Sequence, residues 1–209
     1  FELGALAVPF VVLNGMVLLI GIVYYKKHYS LSRLFDFDVS NRIAIIVIAI
    51  ILSIYIGATV GEFAVEESWN DFSRIQSVVI DRGIENLQGF DLYVKYTLLT
   101  ISQNFFGDMR VVPFLASIAL LVTTFFIAKE ITKKRVPGII AMVLVLQSNI
   151  FLSYDTSATY SNFWILFYVL SLYLILRKWQ LSHMSFVLSI FSKSLSAIFL
   201  PMTMFFVLN

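Results

Sequence analysis

The feature that most constrains this chain is the hydrophobic run at residues 43–60, which reads IAIIVIAIILSIYIGATV. A helix needs about 20 mostly apolar residues to cross a membrane, because each residue rises about 1.5 Å through a hydrocarbon layer about 30 Å thick. Only 13% of the 209 residues are charged and 59% are hydrophobic, whereas roughly a quarter of the residues in a soluble domain are charged. The sequence therefore predicts an integral membrane protein and excludes a soluble enzyme, a nucleic-acid-binding protein and a disordered chain.

Further apolar stretches bring the predicted total to about six spans. They are residues 4–25, 111–128, 138–152, 163–176 and 184–208. The last stretch contains Lys193 and Pro201, and because proline removes a helical hydrogen bond we expect two helical pieces there. The predicted fold class is an all-α polytopic membrane bundle whose last span is broken. We assign 1–42 to an extra N-terminal span with its cytoplasmic loop and 43–209 to the main module, and we expect the chain to be a piece of a longer protein.

Basic residues concentrated in alternate loops predict the orientation of the spans. Lysine and arginine are enriched in short cytoplasmic loops, and here they cluster in the loop 26–42, the turn 129–135 and the pair 177–178. Most of the acidic residues lie in the opposite segments, chiefly in the outer loop 61–110. The predicted localisation is therefore a multi-pass protein of the cell membrane with an extracytoplasmic N-terminus.

The residue inventory excludes several kinds of site. The sequence has no cysteine and its two histidines are His28 and His183, which excludes a disulfide framework, a cysteine nucleophile and a thiolate or histidine-rich metal site. There is also no glycine-rich phosphate-binding loop. No cofactor is required by the sequence, although the acids of the outer loop could bind a divalent cation.

The outer loop 61–110 predicts two amphipathic helices lying in the outer membrane interface. In the first, Ser68 or Asn70 is the expected cap and Asp71 falls in the first turn, where the helix dipole favours an acid. Apolar residues then recur on one face, at Phe72, Ile75, Val78 and Val79. The second helix is predicted over 91–106, ending at Gly107.

Five short motifs follow one another along the chain, and their order is informative. They are Trp69-Asn70-Asp71-Phe72, Gly107-Asp108-Met109-Arg110, Lys133-Lys134-Arg135, Leu152-Ser153-Tyr154-Asp155 and the Lys193 segment of the kinked last span. This order resembles the integral membrane glycosyltransferases of the GT-C fold, in the branch with the protein mannosyltransferases and the aminoarabinose lipid A transferase. The resemblance covers residues 42–209. It departs from the family where Phe72 follows Asp71, since the family often has two consecutive acids there.

The resemblance implies transfer of a sugar from a polyprenyl-phosphate carrier to a protein or lipid acceptor on the extracytoplasmic side. Such a displacement needs a carboxylate to take the acceptor's proton and cations for the departing phosphate. By the resemblance Asp71 is the candidate base, with Glu66 and Glu67 as the next candidates. The candidate substrate-binding residues are Arg110, Lys193, Arg74 and Tyr154.

Each candidate also has a purely structural interpretation. Asp71 could be a solvated acid at a helix start, Arg110 could extend to lipid headgroups, and Lys193 could lie at an interface if the span breaks before it. Two other functions remain open on the sequence: a non-catalytic membrane subunit that scaffolds membrane protein partners, and, ranked third, a fragment of a secondary transporter.

Overall fold

A computed structural model describes residues 38–65, 67–82, 93–201 and 203 of the protein. All regular secondary structure in this part of the chain is helical, and the residues from Val39 onward belong to one compact unit. The helices are α1 (Asn41–Thr59), α2 (Phe72–Ser77), α3 (Tyr93–Phe106), α4 (Val111–Thr132), α5 (Arg135–Leu146), α6 (Asn149–Tyr154), α7 (Phe163–Leu176) and α8 (Ser182–Ser192). Short 3-10 helices follow α1 (Val60–Ala64) and α8 (Ser194–Phe199), and a π-helical turn follows α2 (Val78–Arg82). The predicted span at 4–25 lies outside the described residues.

Two helices are long and apolar enough to cross a membrane. They are α1 with its 3-10 extension, Asn41–Ala64, and α4, Val111–Thr132. α1 begins where the side chain of Ser40 accepts a hydrogen bond from the backbone N–H of Ile43. Most of its isoleucines are exposed, as expected of side chains that face lipid, whereas α4 is nearer the centre of the bundle and buries a larger share of its residues.

The other predicted spans in the described part of the chain are shorter or interrupted. The stretch 138–152 is divided between α5 and α6 by a break at Gln147 and Ser148. The stretch 184–208 is interrupted as expected, but at Lys193, where α8 ends and the backbone becomes extended, rather than at Pro201. The described helices therefore do not include one continuous helix for every predicted span.

One apolar core joins α1, α4, α5 and α6. Its largest members are Tyr55, Phe114, Leu121, Phe125, Met142 and Phe151. α4 and α5 approach each other closely at Gly138, where an added Cβ atom would lie 2.7 Å from a ring carbon of Phe125 and 2.8 Å from its carbonyl oxygen. Small residues permit such close helix packing in membrane proteins.

A second apolar core packs the outer helices α2 and α3 onto the bundle. It includes Ile75, Val79 and Leu99 from the outer segment and Phe163 from α7. The expectation that both apolar faces lie in the membrane interface was therefore incomplete, because one face of each helix is covered by protein. α3 still ends at Gly107, with φ +75°, as predicted.

The start of α2 differs from its predicted capping. Asp71, rather than Ser68 or Asn70, is the residue at the N-cap position, and its side chain makes no capping hydrogen bond. The carbonyl oxygen of Asp71 accepts the backbone N–H of Ile75, so the helix begins with its backbone alone and leaves the carboxylate exposed.

A row of buried serines attaches α8 to α7. The hydroxyl of Ser185 donates to the carbonyl oxygen of Phe167 and that of Ser189 to the carbonyl oxygen of Trp164, both at 2.7 Å. Such interhelical hydrogen bonds stabilise membrane bundles. They fix the end of α8, and with it the position of Lys193, against the first turn of α7.

Candidate functional site

Two lysines, Lys95 and Lys193, line one large cavity. It has a volume of about 850 Å³ and is bounded by α4, α5, α6, α7 and the break after α8. Lys95 and Lys193 belong to its wall together with the aromatic residues Tyr154, Tyr160 and Trp164, and the rest of the wall combines aliphatic side chains with serine, threonine and asparagine. The cavity thus combines two cationic side chains with an extended apolar surface.

Lys193 enters the cavity because α8 ends immediately before it. Its Nζ atom lies 5.2 Å from the centre of the Trp164 ring, a distance at which the ring face attracts a cation. The Trp164 ring stacks in turn on Phe199 of the following 3-10 helix, with ring centres 6.2 Å apart. The interruption of the helix therefore presents the ammonium group on an aromatic surface.

Lys95 lies on the buried face of α3 and is 8% exposed. Its Nζ atom donates a hydrogen bond to the carbonyl oxygen of Thr159. Burial, reinforced by the charge of Lys193, lowers the pKa of Lys95 to about 8, while the carboxylates of Glu67 and Asp71 oppose this shift. Lys95 is therefore a cation at neutral pH that a modest rise in pH discharges.

The loop 155–162 contacts Lys95 through Thr159 and is itself buried, apart from Tyr160. Glu67 holds it: the carboxylate accepts hydrogen bonds from the hydroxyl of Ser157 at 2.6 Å and from the backbone N–H groups of Ala158 at 2.9 Å and Thr159 at 3.0 Å. The hydroxyl of Thr159 is buried and has no hydrogen-bond partner among the described residues. Because Thr159 also lines the cavity, its hydroxyl is available to a ligand there.

The structure brings two of the predicted substrate-binding residues, Lys193 and Tyr154, to the same cavity. The Tyr154 ring packs against Trp69 and Tyr160, with ring centres 5.4 and 5.2 Å apart. Arg74 is exposed on α2 and lines neither this cavity nor the second one described below.

The predicted acids occupy different positions. Asp71 is exposed and is not part of the cavity wall, although its charge acts on Lys95. Glu67 lies behind the loop 155–162, where its oxygens accept three hydrogen bonds. Glu66 lies outside the described residues.

Arg110, which was predicted to bind phosphate, contacts other residues of the chain instead. Its guanidinium group donates to the carbonyl oxygens of Glu62, Phe63 and Val65 at 3.2, 2.8 and 2.7 Å, and it forms an ion pair with Asp108 at 3.2 Å. These contacts stabilise the turn after α1. Arg110 borders a second, more open cavity of about 440 Å³ rather than the cavity of the lysines.

A divalent cation finds no ligand set in the described part of the chain. No group of three or more acidic, histidine or cysteine side chains there could hold a metal ion.

The residue that sequence reasoning missed is Lys95. Lys95, Leu99 and Ser102 recur at helical spacing and form the buried face of α3. A lysine on the apolar face of an amphipathic helix is energetically unfavourable unless the charge has a use or a partner, and that position was the available signal. Thr159 gave no comparable signal, since its role depends on a loop with no regular pattern.

Comparison with known proteins found no matching family model and no similar curated protein or solved structure.

Proposed function

We propose that the chain is the transmembrane module of a GT-C-type glycosyltransferase, which moves a sugar from a polyprenyl-phosphate carrier to an acceptor on the extracytoplasmic side of the membrane. In this proposal the described helices belong to a multi-pass bundle in which α5 with α6, and α7 and α8 with their flanking residues, cross the membrane beside α1 and α4. The N-terminus lies outside the cytoplasm. The resemblance of the ordered motifs to that family supports the proposal.

The observation that carries the proposal is the pairing of Lys95 and Lys193 in one largely apolar cavity. Two ammonium groups in a low-dielectric site repel each other and are desolvated, which is unfavourable unless an anion joins them. A phosphate provides that charge and accepts hydrogen bonds from both lysines and from a hydroxyl such as that of Thr159.

The aliphatic part of the cavity suits the hydrocarbon chain of the carrier. Leu144 and Ile150 line the cavity and are 60% and 73% exposed, so the cavity opens beside α5 and α6 at the surface of the bundle. A lipid could enter through this opening from the bilayer. The proposed ligand is therefore a phosphate attached to a long apolar chain.

In the proposed chemistry a carboxylate acts on the acceptor and two lysines act on the departing phosphate. The acceptor hydroxyl loses its proton to a carboxylate as it attacks the anomeric carbon, and the bond from that carbon to the phosphate oxygen breaks. Asp71 is the proposed base because its carboxylate is exposed and makes no capping hydrogen bond. Lys95 and Lys193 stabilise the negative charge on the departing lipid phosphate.

Binding of a defined probe tests this proposal. The protein is placed in lipid nanodiscs and titrated with a farnesyl methyl phosphodiester, and binding is followed by tryptophan fluorescence, to which Trp164 beside Lys193 contributes. We expect saturable binding, weakened at least about tenfold by Lys95→Met or Lys193→Met, the scale of one charge-assisted hydrogen bond. Lys178→Met, at an exposed position, is the matched control.

Two results would overturn the proposal. Wild-type protein that does not bind the probe has no site for a lipid phosphate, and binding that is unchanged in both cavity variants lies elsewhere. The first result would favour the alternative of a non-catalytic membrane subunit, for which the exposed isoleucine face of α1 would be a lateral contact surface.

A further inference from the structure

We propose that Glu67 is a positioning residue of the anion site, which fixes the place and the charge of Lys95 through the loop 155–162 without touching the ligand. This inference rests on the proposed function, because it concerns the same cavity. It assigns Glu67 a role different from the proton acceptor that the sequence suggested.

Glu67 holds the loop 155–162 through three hydrogen bonds. Its Oε1 atom accepts hydrogen bonds from the Ser157 hydroxyl and the Thr159 N–H, and its Oε2 atom accepts the Ala158 N–H. These donors lie in a buried stretch without regular secondary structure. Buried N–H groups left without a partner are strongly unfavourable, so this carboxylate determines the local shape of the loop.

Thr159 connects the loop to Lys95. Its N–H donates a hydrogen bond to Glu67, and its carbonyl oxygen accepts one from the ammonium group of Lys95. The same residue carries the unpartnered hydroxyl at the cavity wall. Fixing the backbone of Thr159 therefore fixes two of the groups that would meet a phosphate.

The carboxylate of Glu67 also acts electrostatically on Lys95. Burial and the neighbouring charge of Lys193 lower the pKa of Lys95, and the carboxylates of Glu67 and Asp71, in that order of strength, raise it. A nearby negative charge favours the protonated form of a lysine. Glu67 thus helps to keep Lys95 cationic from a position outside the cavity that holds the ligand.

The same geometry argues against Glu67 as the base. Three donors from the protein already occupy its two oxygens. A general base must offer an oxygen to the hydroxyl that it deprotonates, within hydrogen-bond distance. Taking up that proton would remove from Glu67 the negative charge that strengthens the three hydrogen bonds holding the loop.

The experiment is a pH titration of probe binding in nanodiscs. The farnesyl methyl phosphodiester is chosen because its single charge stays constant over the titration, so that the pH dependence comes from the protein. For wild-type protein, binding is strong while Lys95 is protonated and weakens as the pH rises through the region of about 8. Glu67→Gln removes the negative charge and disturbs the loop, so we expect about tenfold weaker binding and a midpoint shifted to lower pH.

Two further variants distinguish the effect of the charge of Glu67 from its effect on the shape of the loop. Glu67→Asp keeps the charge on a shorter side chain, so we expect weaker binding with a midpoint closer to that of wild-type protein than to that of Glu67→Gln. Glu62→Gln is the matched control: Glu62 accepts a hydrogen bond from the Thr156 hydroxyl and makes no described contact with Ala158 or Thr159, so we expect wild-type affinity and midpoint.

The outcomes distinguish this inference from the proposed function. Probe binding by wild-type protein that is lost in Lys95→Met but unchanged in affinity and midpoint in Glu67→Gln overturns the positioning role and leaves the proposed function standing. Absence of wild-type binding overturns both. If Glu67→Gln does not fold, Glu67→Asp decides, since wild-type affinity in that variant would show that the loop contacts do not shape the site.

Discussion

The hydroxyl group of Tyr55 donates a 2.7 Å hydrogen bond to Oδ2 of Asp155, joining the C-terminal part of α1 to the start of the loop 155–162. Asp155 is 1% exposed, and its Oδ1 atom has no hydrogen-bond partner within the described residues. Burial, together with the charge of Glu62, raises the pKa of Asp155 to about 6, although the hydrogen bond from Tyr55 opposes the shift. Folding therefore makes the carboxyl group of Asp155 easier to protonate than it is in the unfolded chain.

The raised pKa of Asp155 predicts that the protein becomes more stable as the pH falls below neutrality. An acid whose pKa is raised by folding contributes stability that is complete below its unfolded pKa and is lost as the pH rises through its folded pKa. For Asp155 this window runs from 3.8 to about 6. Asp155→Asn, which is neutral at every pH, should be more stable than wild-type protein near neutral pH by about 1 to 2 kcal/mol.

Thermal unfolding in nanodiscs at several pH values checks this prediction. The advantage of Asp155→Asn should shrink as the pH falls towards 5. An advantage that is independent of pH would show that the charge of Asp155 is not its source. Tyr55→Phe is a useful comparison, because it removes the hydrogen bond while leaving the carboxyl group in place.

The close approach of α4 and α5 predicts that Gly138→Ala is destabilising. The added Cβ atom would lie within 3 Å of the backbone oxygen and the ring of Phe125, so the two helices must separate. We expect a loss of about 1 to 3 kcal/mol, typical of an overpacked core. Gly57→Ala on α1 is the control, because nothing lies within 4 Å of its added Cβ atom; equal effects of the two substitutions in thermal unfolding would contradict the prediction.

The contacts of Arg110 predict that Arg110→Lys impairs folding. An ammonium group cannot reproduce the planar fork that reaches three carbonyl oxygens and Asp108, and we expect a loss of about 2 to 4 kcal/mol. Yield and unfolding temperature after purification measure it, with Arg74→Lys on the exposed surface as the control. A stable Arg110→Lys protein with selectively weakened probe binding would instead support the phosphate contact expected from the sequence.

The proposed base predicts a clear separation of binding from chemistry. Asp71→Asn should bind the farnesyl phosphodiester as wild-type protein does, because Asp71 does not line the cavity, but should lose sugar transfer by at least about a hundredfold. The measurement is release of labelled sugar from a panel of polyprenyl-phosphate sugars by the protein in nanodiscs. Retained transfer would remove Asp71 from the mechanism.

Continuous apolar runs made much of the helical architecture predictable. The runs that became α1 and α4 have about the length of a membrane crossing, so their length and composition identify them. The end of α3 was predictable because Gly107 adopts the positive φ that glycine tolerates best. The interruption of the last stretch was also foreseeable: the sequence offered a break at Pro201 or just before Lys193, and the structure has the one before Lys193.

The site was harder to predict because its polar groups are paired across long separations in the chain. Arg110 ends one predicted outer segment, and nothing local shows that it binds the carbonyl oxygens after α1. Glu67 likewise pairs with a loop about ninety residues later. A motif can suggest which residues are polar and near the membrane surface, but the choice between a structural and a chemical role depends on these distant partners.

The break after α8 has a consequence for biosynthesis. Lys95 lies in α3 and Lys193 follows α8, so a growing chain has only one of the two lysines until α8 has been made. The cavity acquires its second positive charge with the last described helical segments. If the cavity holds a lipid phosphate as proposed, that ligand would have its complete site only when nearly all the described helices have been synthesised.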